Sequence, residues 1–224
     1  KGIWEMKKSV YSLVLSDDVV AKIDRMAYSR GTNRSNMINQ ILAEAVSYVT
    51  PEKRIREIFG RIEEALNGAE SFRFTVRPSD TMLSLNSALT YRYNPTVKYS
   101  VELYRGTGGS IGELRVATRT QSDALILAML QFYKLWMKVE QSRIGACEYA
   151  VEDGKFARKL CPRSLTGEQP DSDPTALGNR IAEYIRVFDA AMKAFFYNLN
   201  TPAQAVAEVE KIYDRYLSDV GQTV

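Results

Sequence analysis

The sequence predicts an α+β protein in two unequal parts: a strand and two amphipathic helices at the amino end, then an antiparallel β-meander covered by helices and closed by a helical hairpin. Three observations carry this expectation. Residues 8–50 pass from weak alternation to two apolar stripes at helical spacing. Residues 71–118 alternate again, broken by the turn formers Asn94-Pro95 and Gly106-Thr107-Gly108-Gly109. From residue 121 onward the spacing returns to that of helices. With 224 residues, 45% of them hydrophobic, the chain is long and apolar enough to bury a core.

The first element is a short strand over Lys8 to Leu15, rich in β-formers. Ser16 then caps a helix whose first turn holds Asp17 and Asp18 at the positive end of the helix dipole, and Val19, Ile23, Met26 and Ala27 make one apolar stripe. Gly31 ends that helix with a positive φ. Thr32 or Asn33 caps a second helix striped by Met37, Ile38, Ile41, Leu42, Ala45 and Val49, and Pro51 stops it. About fifty residues with an unpaired strand cannot close a core alone. Pairing with a second copy supplies both the missing strand and the missing apolar surface.

Residues 51–68 read as a charged helical connector carrying Ile55, Ile58, Phe59, Ile62 and Leu66 on one side and ending at Asn67-Gly68. An α+β domain over 69–224 follows. Its sheet, residues 71–118, has about four strands marked by Phe72, Phe74 and Val76; by Leu89, Tyr91 and Tyr93; by Val97, Tyr99, Val101 and Leu103; and by Ile111 to Thr118. The helix over 121–141 is apolar on nearly every side and should cover that sheet. Residues 144–175, with Pro162, Gly167, Pro170 and Pro174, read as a long loop before helices at 176–198 and 202–219.

Composition narrows the chemistry. Thirty Lys and Arg stand against 27 Asp and Glu, too even a balance to mark a polyanion-binding protein as a whole. Residues 1–68 carry a net +2, 69–143 a net +4 and 144–224 a net −3. The chain has no histidine, and Cys147 and Cys161 lack the paired spacing of a zinc site, so no metal, no cofactor and no histidine-based catalysis are expected. No set of nucleophile, base and orienting residues emerges, which argues against an enzyme. Lys7 and Lys8 lead into Ser-Val-Tyr-Ser rather than an apolar run, so no secretory signal is read and a cytoplasmic location is expected. The most apolar stretch, Ala124 to Val139, is interrupted by Gln131, Lys134 and Lys138, so it reads as a buried helix rather than a membrane span.

The order of elements at the amino end, with Leu15-Ser16-Asp17-Asp18-Val19-Val20, then Ile23, Met26-Ala27, Arg30-Gly31, Asn33-Arg34-Ser35, Met37-Ile38 and Ile41-Leu42, resembles the ribbon-helix-helix superfamily of Arc-, MetJ- and CopG-like repressors. The resemblance covers residues 7–50. It implies a homodimer, or a higher oligomer, whose paired strands enter the major groove of double-stranded DNA. It implies an outward, base-facing set of Val10, Ser12 and Val14. It implies a dimer core of Tyr11, Leu13, Leu15, Ile23, Met26, Ile38, Ile41 and Leu42. The amino end of the second helix, at Arg34, Ser35 and Asn36, would grip a phosphate, with Lys7 and Lys8 flanking the ribbon. The chain departs from the family in the outward set, where polar residues are usual and only Ser12 can hydrogen-bond.

Two other signals point elsewhere. Gly106 to Gly112 resembles a phosphate loop only superficially, since it joins two strands and lacks a following Lys-Ser or Lys-Thr, so a hairpin turn explains it. Tyr91, Tyr93, Tyr99 and Tyr104 beside Arg73, Arg77, Arg92, Lys98 and Arg105 would suit base stacking, but core and surface residues of an ordinary sheet explain them as well. The expected function is a dimeric prokaryotic transcriptional regulator whose residues 69–224 sense a small ligand, bind a protein partner or add oligomeric contacts. The alternatives are an accessory protein of a plasmid or mobile element with low sequence specificity, and an interaction module that no longer touches DNA.

Overall fold

A computed structural model describes residues 10–46, 48–68, 71–75, 78–105, 110–161 and 173–220. It is a mixed α+β protein with, among the described residues, six helices and one six-stranded antiparallel sheet. The chain divides into two compact units, the first ending at Arg54 and the second beginning at Ile55.

The first unit contains α1 (Asp17–Ser29) and α2 (Arg34–Ala45). Ser16 precedes α1 in extended backbone, as a cap should, but its hydroxyl accepts no capping hydrogen bond. Gly31 has φ +63°, and the amides of Gly31 and Thr32 donate to the carbonyls of Tyr28 and Ala27, the paired bonds by which a left-handed residue closes a helix. Asn33, rather than Thr32, caps α2: its Oδ1 accepts from the Asn36 amide at 2.9 Å. The second helix is shorter than the stripe to Val49 predicts. It stops at Ala45 with Val46 as its C-cap, where the Tyr48 amide donates back to the Ala43 carbonyl at 2.8 Å, and Thr50 then caps the next helix through the Lys53 amide. The expected strand is not seen as one: Val10 to Ser16 form no strand and pair with no other strand among the described residues, and Lys8 and Ser9 lie outside them.

Helix α3 (Pro51–Leu66) is no mere connector. From Ile55 onward its apolar side, Ile55, Ile58, Phe59, Ile62 and Leu66, is buried in the main core of the second unit. The sheet consists of β1 (Phe72–Phe74), β2 (Met82–Ala88), β3 (Thr96–Leu103), β4 (Gly112–Thr118), β5 (Tyr149–Glu152) and β6 (Lys155–Leu160). Its order is β1-β2-β3-β4-β6-β5, antiparallel throughout. Leu89, Tyr91 and Tyr93 belong to no strand. The second strand is Met82–Ala88, and Tyr93 and Asn94 take positive φ in the turn before Pro95, where the Leu89 amide donates to the Pro95 carbonyl.

The predicted loop over 144–175 is corrected at its first half, which forms the hairpin β5-β6. The turn is Asp153-Gly154, both at positive φ, joining Glu152 directly to its cross-strand partner Lys155. Two such residues match the twist of the flanking strands and set the register. Residues 162–172, and residues 106–109 where a glycine turn is expected, lie outside the described residues.

One face of the sheet is covered by α4 (Asp123–Ile144), α5 (Pro174–Tyr197) and α6 (Pro202–Val220). Inward residues alternate along each strand, as Val97, Tyr99, Val101 and Leu103 do in β3, while Lys98, Ser100 and Glu102 point away. Phe188 of α5 lies at the centre, with ring centroids 5.0 Å from Trp136, 5.2 Å from Phe156 and 5.3 Å from Phe132, mostly edge to face. Gly178 lets α3 and α5 close together, since a Cβ there would fall 2.7 Å from the Arg61 Cβ and 2.9 Å from the Ile58 carbonyl. Among the described residues no helix is long and apolar enough to cross a membrane.

Candidate nucleic-acid interface

The geometry of the first unit follows from its turn. The Gly31 closure and the Asn33 cap, two residues apart, set the first turn of α2 beside the middle of α1. Arg34 in that turn reaches Asp24 in a forked pair, Nε to Oδ1 at 2.7 Å and Nη2 to Oδ2 at 2.6 Å. Hydrogen bonding to Arg34 holds the Asp24 carboxyl below its usual range, and the same bond raises the guanidinium. Both side chains stay about half exposed, so the guanidinium keeps an edge toward solvent.

The Asn36 amide is taken by Asn33 Oδ1 and the Met37 amide by the Asn33 carbonyl. The amides of Arg34 and Ser35 donate to no group among the described residues and lie at the positive end of the helix. Arg34, Ser35 and Asn36 therefore share one helix start, with Ser35 exposed and Asn36 partly buried. Lys7 and Lys8 lie outside the described residues. Val10, Ser12 and Val14 are exposed, the two valines fully.

The first unit buries little as a single chain. Its core is Ile23, Ala27 and Met37, with Ile38 and Ile41 packed against it. Of the eight expected dimer-core residues, Ile23 is buried and Ile38 and Ile41 are half-buried. Tyr11, Leu13, Leu15, Met26 and Leu42 are 82, 59, 39, 38 and 53% exposed. An unpartnered apolar surface of this extent, on one small unit, is what association removes from water.

The sheet tyrosines do not form a stacking platform. Tyr99 is fully buried, its hydroxyl donating to Asp189 at 2.9 Å, and burial together with that carboxylate raises it well above the usual phenol range. Tyr91 packs edge-on against Phe196, Tyr104 accepts from Lys159 at 2.6 Å, and Tyr93 stands alone in its turn. Arg77 lies outside the described residues.

A polar centre that the sequence reading missed lies inside the second unit. Glu140 of α4 is wholly buried and pairs with buried Arg158 of β6 at 2.9 Å. Its Oε2 also accepts from Tyr149 at 2.7 Å and Tyr184 at 3.0 Å, while Tyr184 receives the Trp136 indole N–H at 3.0 Å. Arg158 further lies over the Tyr184 ring at 4.5 Å, with Cys147 Sγ 3.9 Å from its Nη2. Burial would lower the Arg158 guanidinium, but Tyr184 and Glu140 outweigh it and the group is raised. A signal for this centre was present: Glu140 falls four residues after Trp136 and seven after Tyr133, in phase with the buried stripe of α4. Nothing in the spacing names Arg158 as its partner. Among the described residues no His, Cys, Asp and Glu cluster could hold a metal.

No family model, no curated protein and no solved structure matches this chain.

Proposed function

We propose that this chain is a dimeric DNA-binding protein, a prokaryotic transcriptional regulator whose paired amino-terminal strands enter the major groove while the second unit senses a ligand, binds a partner or adds oligomeric contacts. The observation that supports this reading is the first unit's combination of an exposed segment at 10–15, rich in β-forming residue types, with two helices joined at Gly31-Asn33. The unpaired segment and the exposed Tyr11, Leu13, Met26 and Leu42 need a partner, and a second copy offers the matching strand and surface. The open start of α2, with Arg34 beside it, supports a phosphate contact on each protomer.

A second reading is favoured by Val10 and Val14. With Ser12 as the sole hydrogen-bonding group between them, the ribbon has little means of telling one base pair from another beyond thymine methyl contacts. That suits an accessory protein of a plasmid or mobile element, which needs affinity more than specificity. Mobility shifts on duplex DNA with Lys8→Ala/Arg34→Ala test the common claim, the double variant losing most of its salt-sensitive binding. Unchanged binding would refute the phosphate assignment, and footprinting separates one operator from broad coverage.

A further inference from the structure

The outer face of the sheet carries a groove that the DNA-binding reading does not use. It measures about 360 Å³ and opens over β3, β4, β6 and β5, a size that admits a small organic molecule. Its floor is made of small side chains. Ala150 faces Ala157 across β5-β6, and Ala117 lies beside them on β4. Lys98 is the cross-strand partner of Ala117, and Lys155 lies one step beyond the Val116–Phe156 pair on the other side. The two lysines thus flank Ala117 in one row of the same face, about 10 Å apart at the backbone, as two strand spacings require. Both side chains are long enough to meet over the alanine.

Their charges are also unspent. Arg115, which lines the same groove, is engaged by Glu113 at 2.5 Å and Glu102 at 3.0 Å. Lys98 and Lys155 make no ion pair or hydrogen bond among the described residues, although Glu152 is the cross-strand neighbour of Lys155. The lining also holds the carboxylates of Glu152 and Asp153, but the two unpaired ammonium groups beside the alanines are complementary to one kind of occupant.

We propose that this groove binds a small anion consisting of a planar apolar body with one carboxylate or phosphate, the anionic group held between Lys98 and Lys155 over Ala117 and the body lying on Ala157 and Ala150. The inference does not depend on DNA binding.

The test is a titration of the full chain, labelled with ¹³C at its alanine methyls, with 2-naphthoate and with uncharged 2-naphthamide. The expected result is saturable movement of the Ala117, Ala150 and Ala157 methyls with naphthoate, binding at least about tenfold weaker in Lys98→Gln/Lys155→Gln, and little binding of the amide. Glu152→Gln, which removes the competing carboxylate, should tighten naphthoate binding. Absence of saturable shifts at these three methyls, or equal affinity in the double variant, would overturn the proposal. Each lysine replaced singly gives the same reading if the double variant loses its fold.

Discussion

At the scale of single residues, charge placement decides most. Arg34 is held by Asp24, so on the proposed DNA-binding reading Asp24 competes with a phosphate at the start of α2 for it. Asp24→Asn should therefore raise affinity for duplex DNA several-fold at low salt and steepen its salt dependence by up to about two units of log–log slope, one for each protomer's Arg34. Weaker binding in that variant would mean that Arg34 works by holding the two helices together. In the second unit, Glu140→Ala leaves Arg158 charged and buried without its partner, which should cost about 3–5 kcal/mol in urea unfolding followed by tryptophan fluorescence. Glu140→Leu/Arg158→Met should recover much of that loss, and a single replacement costing under about 1 kcal/mol would refute the network's role. Glu113 gives the pH dependence. Burial alone would raise it, but hydrogen bonds from Lys159 and Arg115 hold it below its ordinary 4.5. A depressed carboxyl contributes stability that is present above its unfolded value and lost as pH falls through the lower folded one. Glu113→Gln should accordingly flatten the fall of stability below about pH 5, measured by urea midpoints across that range.

At the scale of elements, what could be read depended on whether the deciding contact was local. The caps and turns of α1 and α2 follow from residues a few positions apart, and Gly31 with Asn33 stands where the pattern puts it. The hairpin at Asp153-Gly154 was equally legible, since that dipeptide between alternating residues favours a two-residue turn, but the prolines farther along masked it. Strand β2 was harder. Leu83, Leu85, Ser87 and Leu89 share a buried face, yet a serine in that row and the aromatic alternation just after it shifted the expected strand along the chain. The burial of α3 and the Arg34–Asp24 pair rest on contacts that spacing does not encode. Gly178 tests the α3–α5 contact: Gly178→Ala should cost about 1–3 kcal/mol through overpacking against Arg61 and Ile58, and a stabilised variant would show that the helices can separate freely.

At the scale of the whole molecule, the two units differ in how they gain stability. The second has a continuous aromatic core between sheet and helices, whereas the first has a small core cluster of Ile23, Ala27 and Met37 and a wide apolar surface. Thermal unfolding should then show a transition from the first unit that rises with protein concentration, as paired units require, beside one from the second that does not. The proposal of a paired ribbon on DNA gathers these features, and it is met most directly by titrating a labelled duplex with the full chain at salt concentrations from about 50 to 200 mM. The account predicts two chains per bound duplex and a log–log slope of several negative units, up to about −5 if Lys7, Lys8 and Arg34 of both protomers engage phosphates. Binding by a single chain, or affinity that does not change with salt, would contradict it.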